Sequence, residues 1–141
     1  MRAMPRAVAC GALALVLVTT VVGAADKAEA KAIAGAKSWL ALVDAGNYGA
    51  SWDAAASMFK SGVTRADWER MAASARGPLG KVLGRELAAS KAMSSLPGAP
   101  DGHYVLVQFN TSFEHKAHAV ETVTTVFESD GAWRVTGYFI K

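Results

Sequence analysis

The chain has 141 residues, enough for one domain with a hydrophobic core of its own. Its formal net charge is +3 and its basic residues are scattered among acidic ones, so it lacks the basic patch of a nucleic-acid-binding protein, and that function is excluded. The only cysteine, Cys10, lies in an apolar N-terminal run, so the rest of the chain holds neither a disulfide nor a cysteine-ligated metal.

Residues 1–25 have the organisation of a secretory signal peptide. Arg2 and Arg6 give a positive start, an uncharged run covers 7–22, and the small residues at its end suit signal peptidase. The run is shorter than the roughly 20 apolar residues of a membrane span. We therefore expect cleavage after this segment and a periplasmic or secreted protein without a membrane anchor. Without the two leader arginines the 15 basic residues become 13 against 12 acidic ones, so the mature net charge is +1.

The first half of the mature domain, which we place at 26–141, predicts three helices. Apolar residues recur three or four positions apart over 26–45, over 48–59 and over 64–76. A capping pattern starts the third helix, and Gly77-Pro78 stops it because proline cannot continue a helix. The residues expected to face the core are Ile33, Ala36, Leu40, Val43, Tyr48, Trp52, Ala55, Phe59, Trp68, Met71, Ala72 and Ala75.

The second half predicts strands. They are placed at 81–94, 103–114, 118–128 and 132–140. A turn-rich link covers 97–102, and Asp130-Gly131 is a strong hairpin signal. The expected fold class is α+β, with three N-terminal helices on one face of a curved antiparallel sheet of about four strands.

The two hairpin turns predict which side chains face the helices. Centring them on Lys116-Ala117 and Asp130-Gly131 places Glu121 opposite Ser112 and near Ile140. The same register directs one apolar set inward: Val105, Val107, Phe109, Phe113, Val120, Val126, Trp133, Val135 and Phe139. Four small residues lie at the middle of this set and indicate either a bend in the sheet or a hollow that binds a ligand: Thr111, Thr122, Thr124 and Gly137.

The opposite face of the predicted sheet carries more large apolar groups than a solvated face usually does. It is interpreted either as a partner surface, most simply that of a homodimer, or as a face covered by the chain ends or by the 97–102 link. The proposed interface residues are Leu106, Val123, Phe127, Tyr138 and Ile140.

A histidine pair offers the nearest approach to a metal motif. His115 and His118 form H-x-x-H beside Glu114. Zinc sites need three or four ligands that converge on one point, and His103 is expected at the other end of its strand. We therefore expect a solvated turn, with no metal and no cofactor.

Two charged residues have more than one interpretation. Glu121 lies among apolar neighbours, where a carboxylate with a raised pKa can act as an acid or base, or can pair with a cation such as Arg85. Arg76 is a candidate anion-binding residue or a partner for the carbonyls at its helix end. Neither a nucleophile elbow nor a phosphate-binding loop is present in the sequence.

Motifs along nearly the whole mature chain resemble one known family. They are Asp44-x-Gly46-x-Tyr48 with Trp52 and Phe59, Arg76-Gly-Pro-Leu-Gly80 with Arg85, Pro97-Gly98-x-Pro100-Asp101-Gly102-x-Tyr104, Phe113, Glu121, and Trp133-Arg134-x-x-Gly137-Tyr138. This set is similar to the small exported bacterial proteins grouped as domain-of-unknown-function family 4019. The resemblance implies an exported bacterial protein and supplies no reaction.

The D-x-G-x-Y-x-x-x-W entry, with helices before a curved sheet, also resembles the cone-shaped nuclear-transport-factor-two-like fold. That superfamily includes ketosteroid isomerase, dehydratases and many binding domains, and its enzymes place an Asp or His and a Tyr inside the cone. The resemblance alone does not fix a function. We expect a binding or accessory module for a small molecule or a protein. The alternatives are an acid–base enzyme that uses Glu121 with Tyr104 or Tyr138, and a structural subunit that docks through its sheet face.

Overall fold

Helices precede a four-stranded antiparallel sheet in this computed structural model, which describes residues 23–141. The helices are α1 (Ala24–Asp44), α2 (Tyr48–Asp53), α3 (Ser57–Gly62) and α4 (Arg65–Arg76), followed by a 3₁₀ turn at Gly77–Leu79. The strands are β1 (Val82–Met93), β2 (Tyr104–Phe113), β3 (Lys116–Phe127) and β4 (Trp133–Ile140), adjacent in that order. The α+β class and the antiparallel sheet are therefore confirmed. All but the last residues of the predicted signal peptide lie outside the described residues.

The predicted second helix is in fact two helices, α2 and α3. Ala56 between them is extended, and its N–H donates to the carbonyl oxygen of Val135 at 2.8 Å. That bond to β4 replaces a bond within a continuous helix. The apolar stripe still continues across the break, because Trp52 and Phe59 both pack against the core.

The core lies between α1, α4 and the inner face of the sheet. Trp39 of α1 contacts the ring of Tyr138 at a centroid distance of 5.3 Å, and its indole N–H donates to the Ser51 carbonyl oxygen at 2.8 Å. The buried core residues are Ala32, Ala36, Trp39, Leu40, Val43, Trp68, Ala72, Val105, Val107, Phe109, Val123 and Val135.

The register predicted for β3 is wrong. The first turn is at 114–115 rather than at Lys116-Ala117, and Phe113 pairs with Lys116. The turn is held by the segment before β1, because the Glu114 N–H donates to the Lys81 carbonyl oxygen at 2.9 Å. Glu121 consequently pairs with Phe109 instead of Ser112. An odd shift exchanges the two faces of a strand, so Glu121 and its alternate neighbours point toward the helices.

The register predicted for the second hairpin is confirmed away from the turn, where Glu121 pairs with Ile140. The pairing shifts by one residue between Thr124 and Thr125, which leaves Thr136 as an extra residue in β4. A bulge of this kind bends a strand and redirects its side chains. Tyr138 therefore packs against the core, and the prediction that Phe139 faces inward is wrong because its side chain is 57% exposed.

Gly80, between the 3₁₀ turn and β1, is required by its backbone conformation. Its φ is 74° and its ψ is −159°, a backbone conformation that residues other than glycine rarely adopt. A Cβ at this position would also lie 2.9 Å from the Cβ of Glu114. We expect Gly80→Ala to lower the free energy of unfolding by at least about 1–3 kcal/mol in urea titrations.

The matched control is Gly62→Ala, because a Cβ there meets no atom within 4 Å and its φ is not positive. This variant should be as stable as the parent or slightly more stable. Equal stability of Gly80→Ala and the parent would contradict the positive φ of Gly80 and its close approach to Glu114.

Candidate functional site

A buried carboxylate lies where the sheet meets the ends of α1 and α4. Glu121 has 0% of its surface exposed. Its Oε1 accepts hydrogen bonds from Arg85 Nε at 2.7 Å and from Thr111 Oγ1 at 2.5 Å, and its Oε2 accepts one from the Tyr138 hydroxyl. Each of the other three strands therefore contributes one side chain that donates a hydrogen bond to this carboxylate.

A second carboxylate extends this site to the helices. Asp44 ends α1 and accepts two hydrogen bonds from Arg85, at 2.7 and 3.0 Å. It also accepts one at 2.8 Å from Nη2 of Arg76, the last residue of α4. Two arginines and two carboxylates balance in charge. We call the six side chains the buried network: Asp44, Arg76, Arg85, Thr111, Glu121 and Tyr138.

The network shifts the pKa values of Asp44 and Tyr138 in directions that favour their observed hydrogen bonds. Burial by itself raises the pKa of Asp44, but hydrogen bonds from Arg85 and Arg76 outweigh burial and hold this pKa below its usual value. Burial and the adjacent Glu121 carboxylate raise the pKa of Tyr138 well above its usual range. The phenol therefore stays protonated and acts as a donor.

A groove of about 580 Å³ opens beside the network, between α4 and the end of β4. We call it the α4–β4 groove. Arg76 and Tyr138 belong to both the network and the groove, so the network holds two polar side chains of the groove wall in place. The residues that line it are Trp68, Met71, Ala72, Ala75, Arg76, Leu79, Lys116, Tyr138, Phe139, Ile140 and Lys141.

One known protein family matches most of the chain. The family described as "Protein of unknown function (DUF4019)" matches residues 35–138 of the 141. The chain belongs to this family. The match runs from the middle of α1 to Tyr138 and so includes the whole buried network. No curated protein matches the chain. The resemblance to the nuclear-transport-factor-two-like fold stays a prediction.

The DUF4019 domain brings some predicted site residues together and separates others. Glu121 and Tyr138 are in contact, and the predicted pairing of Glu121 with Arg85 is confirmed. Tyr104 lies elsewhere: it pairs with Val126, and its hydroxyl donates to the Pro100 carbonyl oxygen at 2.6 Å.

The four small residues of the predicted hollow do not lie on one face. Thr111 points inward to Glu121, whereas Thr122 and Thr124 alternate with the inward residues of β3 and face away from the helices. Thr124 pairs with Gly137, next to the bulge in β4. The four positions therefore do not form a common wall beneath the helices.

The five residues proposed as an interface are also divided. Val123 is fully buried in the core and Tyr138 packs against it, so the prediction of an exposed face that contains both is wrong. Leu106 pairs with Thr124 and remains on the outer face. Ile140 lines the α4–β4 groove, and Phe127 is exposed at the other end of the sheet.

Phe127 belongs to a second groove, of about 570 Å³, beside the first turns of α1. Phe127 and Trp133 lie 5.3 Å apart by ring centroid, and His103 packs against Phe127. We call this space the α1 groove. Ala25 and Ala28 of α1, together with Glu29, form part of its wall.

The histidines of the predicted H-x-x-H pair lie at the hairpin between β2 and β3. His115 is in the turn, His118 is on β3, and the carboxylate of Glu114 accepts a hydrogen bond from the Lys81 N–H at 2.7 Å. Across residues 23–141, His, Cys, Asp and Glu side chains form no group of three or more suited to a metal. Over the same residues, no helix is both long and apolar enough to cross a membrane.

Proposed function

We propose that this DUF4019 protein is an exported binding module whose ligand lies in the α4–β4 groove. The volume of the groove falls within the range of small-molecule sites. Its wall is mainly apolar, with a few polar side chains that converge from α4, β3 and β4. An apolar space with few convergent polar groups is the usual form of a ligand site, and this observation carries the proposal.

The buried network supports binding rather than acid–base catalysis at Glu121. Both oxygens of Glu121 are already hydrogen-bonded, and none of its surface is exposed to a substrate. Tyr104, the other candidate partner, is bonded to a loop carbonyl. We assign Glu121 a positioning role: it fixes Arg85 and Tyr138, and Tyr138 forms part of the groove.

The α1 groove is the weaker candidate for a ligand site. Ala25 contributes to its wall, and cleavage after Ala25 would remove that residue from the mature protein. Docking of a protein through the outer sheet face is also less supported, because Val123 and Tyr138 are turned toward the helices.

Export rests on the pattern of residues 1–25. Cleavage at the predicted position would make Asp26 the first residue of the mature chain. Asp26 lies in the first turn of α1, where a carboxylate interacts favourably with the helix dipole.

Native mass spectrometry of the protein purified from the periplasm of its host tests this proposal. We expect a chain that begins at Asp26 and carries a small molecule that denaturation releases. Phe139→Ser removes an apolar side chain from the groove and should abolish that added mass. Leu83→Ser is the matched control, because Leu83 is an exposed apolar residue of β1 outside this groove, and it should retain the added mass.

Export and ligand binding in the α4–β4 groove would be contradicted by different results. A full-length chain recovered from the cytoplasm would overturn export. A bare chain, or an added mass that persists in Phe139→Ser, would overturn the assignment of the ligand to the α4–β4 groove.

A further inference from the structure

The α4–β4 groove combines apolar walls with an excess of positive charge. Three of its lining side chains are cationic; Arg76 is balanced by Asp44, whereas Lys116 and Lys141 add positive charge, and no lining side chain is acidic. Within residues 23–141, Lys116 and Lys141 form no salt bridge. The α1 groove differs, since its wall includes the carboxylate of Glu29 and no lysine or arginine. The charge of the α4–β4 groove therefore favours an anionic ligand.

Arg76, in the wall of the groove, is held by the protein with one of its donors unpaired. Its side chain is 5% exposed, and Nη2 is bound to Asp44. Nη1 lies 3.5 Å from the Tyr138 hydroxyl, while the buried Nε has no hydrogen-bond partner among the described residues. A buried donor without a partner is uncommon and costly, because it has lost its bond to water.

The apolar part of the groove is also incompletely covered. The side chains of Met71 and Phe139 are 59% and 57% exposed, and Trp68 and Leu79 lie in the same wall. Large apolar side chains clustered at one exposed position commonly mark a binding surface. An apolar ligand body would remove them from water.

We infer that the α4–β4 groove binds an amphipathic carboxylate, a molecule with an apolar body and one acidic end. This inference rests on the proposed function and names the chemical class of its ligand. The apolar body contacts Met71, Phe139 and their neighbours, and the carboxylate is attracted by Lys116 and Lys141. Guanidinium and ammonium groups are the usual protein partners of a carboxylate.

Isothermal titration calorimetry of the mature protein with octanoate and with 1-octanol tests the inference. The two probes share an apolar chain and differ in charge. We expect one site that binds octanoate at least about tenfold more tightly than 1-octanol, a difference that shrinks at high salt. The double variant Lys116→Gln/Lys141→Gln should lose most of this preference. It leaves the buried network intact, because neither lysine belongs to it.

The matched control is Lys31→Gln/Lys91→Gln, which removes the same charge from exposed positions on α1 and β1. Its octanoate affinity should equal that of the parent. Equal loss in the two double variants, or no octanoate binding by the parent, would overturn the inference.

Equal affinity for octanoate and 1-octanol, with loss of both in Phe139→Ser, would also overturn the carboxylate class. In that case the groove would still be a ligand site, and the proposed function would stand. A parent that binds neither probe and carries no added mass from its host would overturn both.

Discussion

Replacing Glu121 with alanine is expected to lower the free energy of unfolding by about 3–5 kcal/mol, the usual range when one partner is removed from a buried ion pair. Arg85 would retain Asp44 but lose the carboxylate that accepts its Nε–H at 2.7 Å. Thr111 and Tyr138 would lose their acceptor as well. Urea unfolding of the parent and the variant, followed by tryptophan fluorescence, measures the difference.

The control for this prediction is Glu86→Ala. Glu86 lies next to Arg85 on β1, is exposed, and forms no salt bridge within residues 23–141. Its replacement should change stability little, as is usual for surface positions. If Glu121→Ala and Glu86→Ala were equally stable, the buried network would not hold the fold together.

Replacing Asp44 with alanine is expected to cost about 3 kcal/mol, near the lower end of the same range because its side chain is 26% exposed. The change removes the carboxylate that joins Arg76 of α4 to Arg85 of β1. Arg76 would then be a nearly buried cation whose remaining side-chain hydrogen-bond partner is the Tyr138 hydroxyl. Urea unfolding at neutral pH measures this loss.

Asp44 also predicts the direction of the pH dependence. Its pKa is lower in the folded protein than its ordinary value, so its contribution to stability is complete above the unfolded-state pKa. The contribution is lost as the pH falls from about 4 through the folded value. The difference in stability between the parent and Asp44→Asn should therefore be largest at neutral pH and decrease in acid. A difference that stayed constant or grew in acid would contradict the pairing of Asp44 with the two arginines.

Much of the fold follows from patterns within a few residues of each other. Apolar spacing predicts α1 and α4, and Asp130-Gly131 predicts the second hairpin because these residues suit a tight turn. The first turn has no comparable signal, since Glu114 and His115 are held by bonds to the segment before β1. Lys81 and Glu114 are 33 positions apart in the sequence, so local patterns do not indicate this contact. Without it, the predicted register assigns the residues of β3 to the wrong faces of the sheet.

The candidate site is harder to predict from the sequence because its residues are also far apart along the chain. A buried carboxylate needs a cation, which is enough to suggest Arg85 for Glu121. Nothing local indicates that Asp44, 41 positions from Arg85, completes the network, because that depends on where α1 ends over the sheet. The groove depends on the bulge at Thr136, which turns Tyr138 inward and leaves Phe139 exposed.

Two-dimensional NMR of the isotope-labelled protein, titrated with octanoate, tests most directly whether the α4–β4 groove is the ligand site. The proposed site predicts that amide shifts are concentrated in the second half of α4, around Lys116, and at 138–141, with saturation at one equivalent bound. Small shifts are expected for Phe127 and Trp133 in the α1 groove. Shifts concentrated at Phe127 and Trp133, or spread evenly without saturation, would contradict the assignment of ligand binding to the α4–β4 groove.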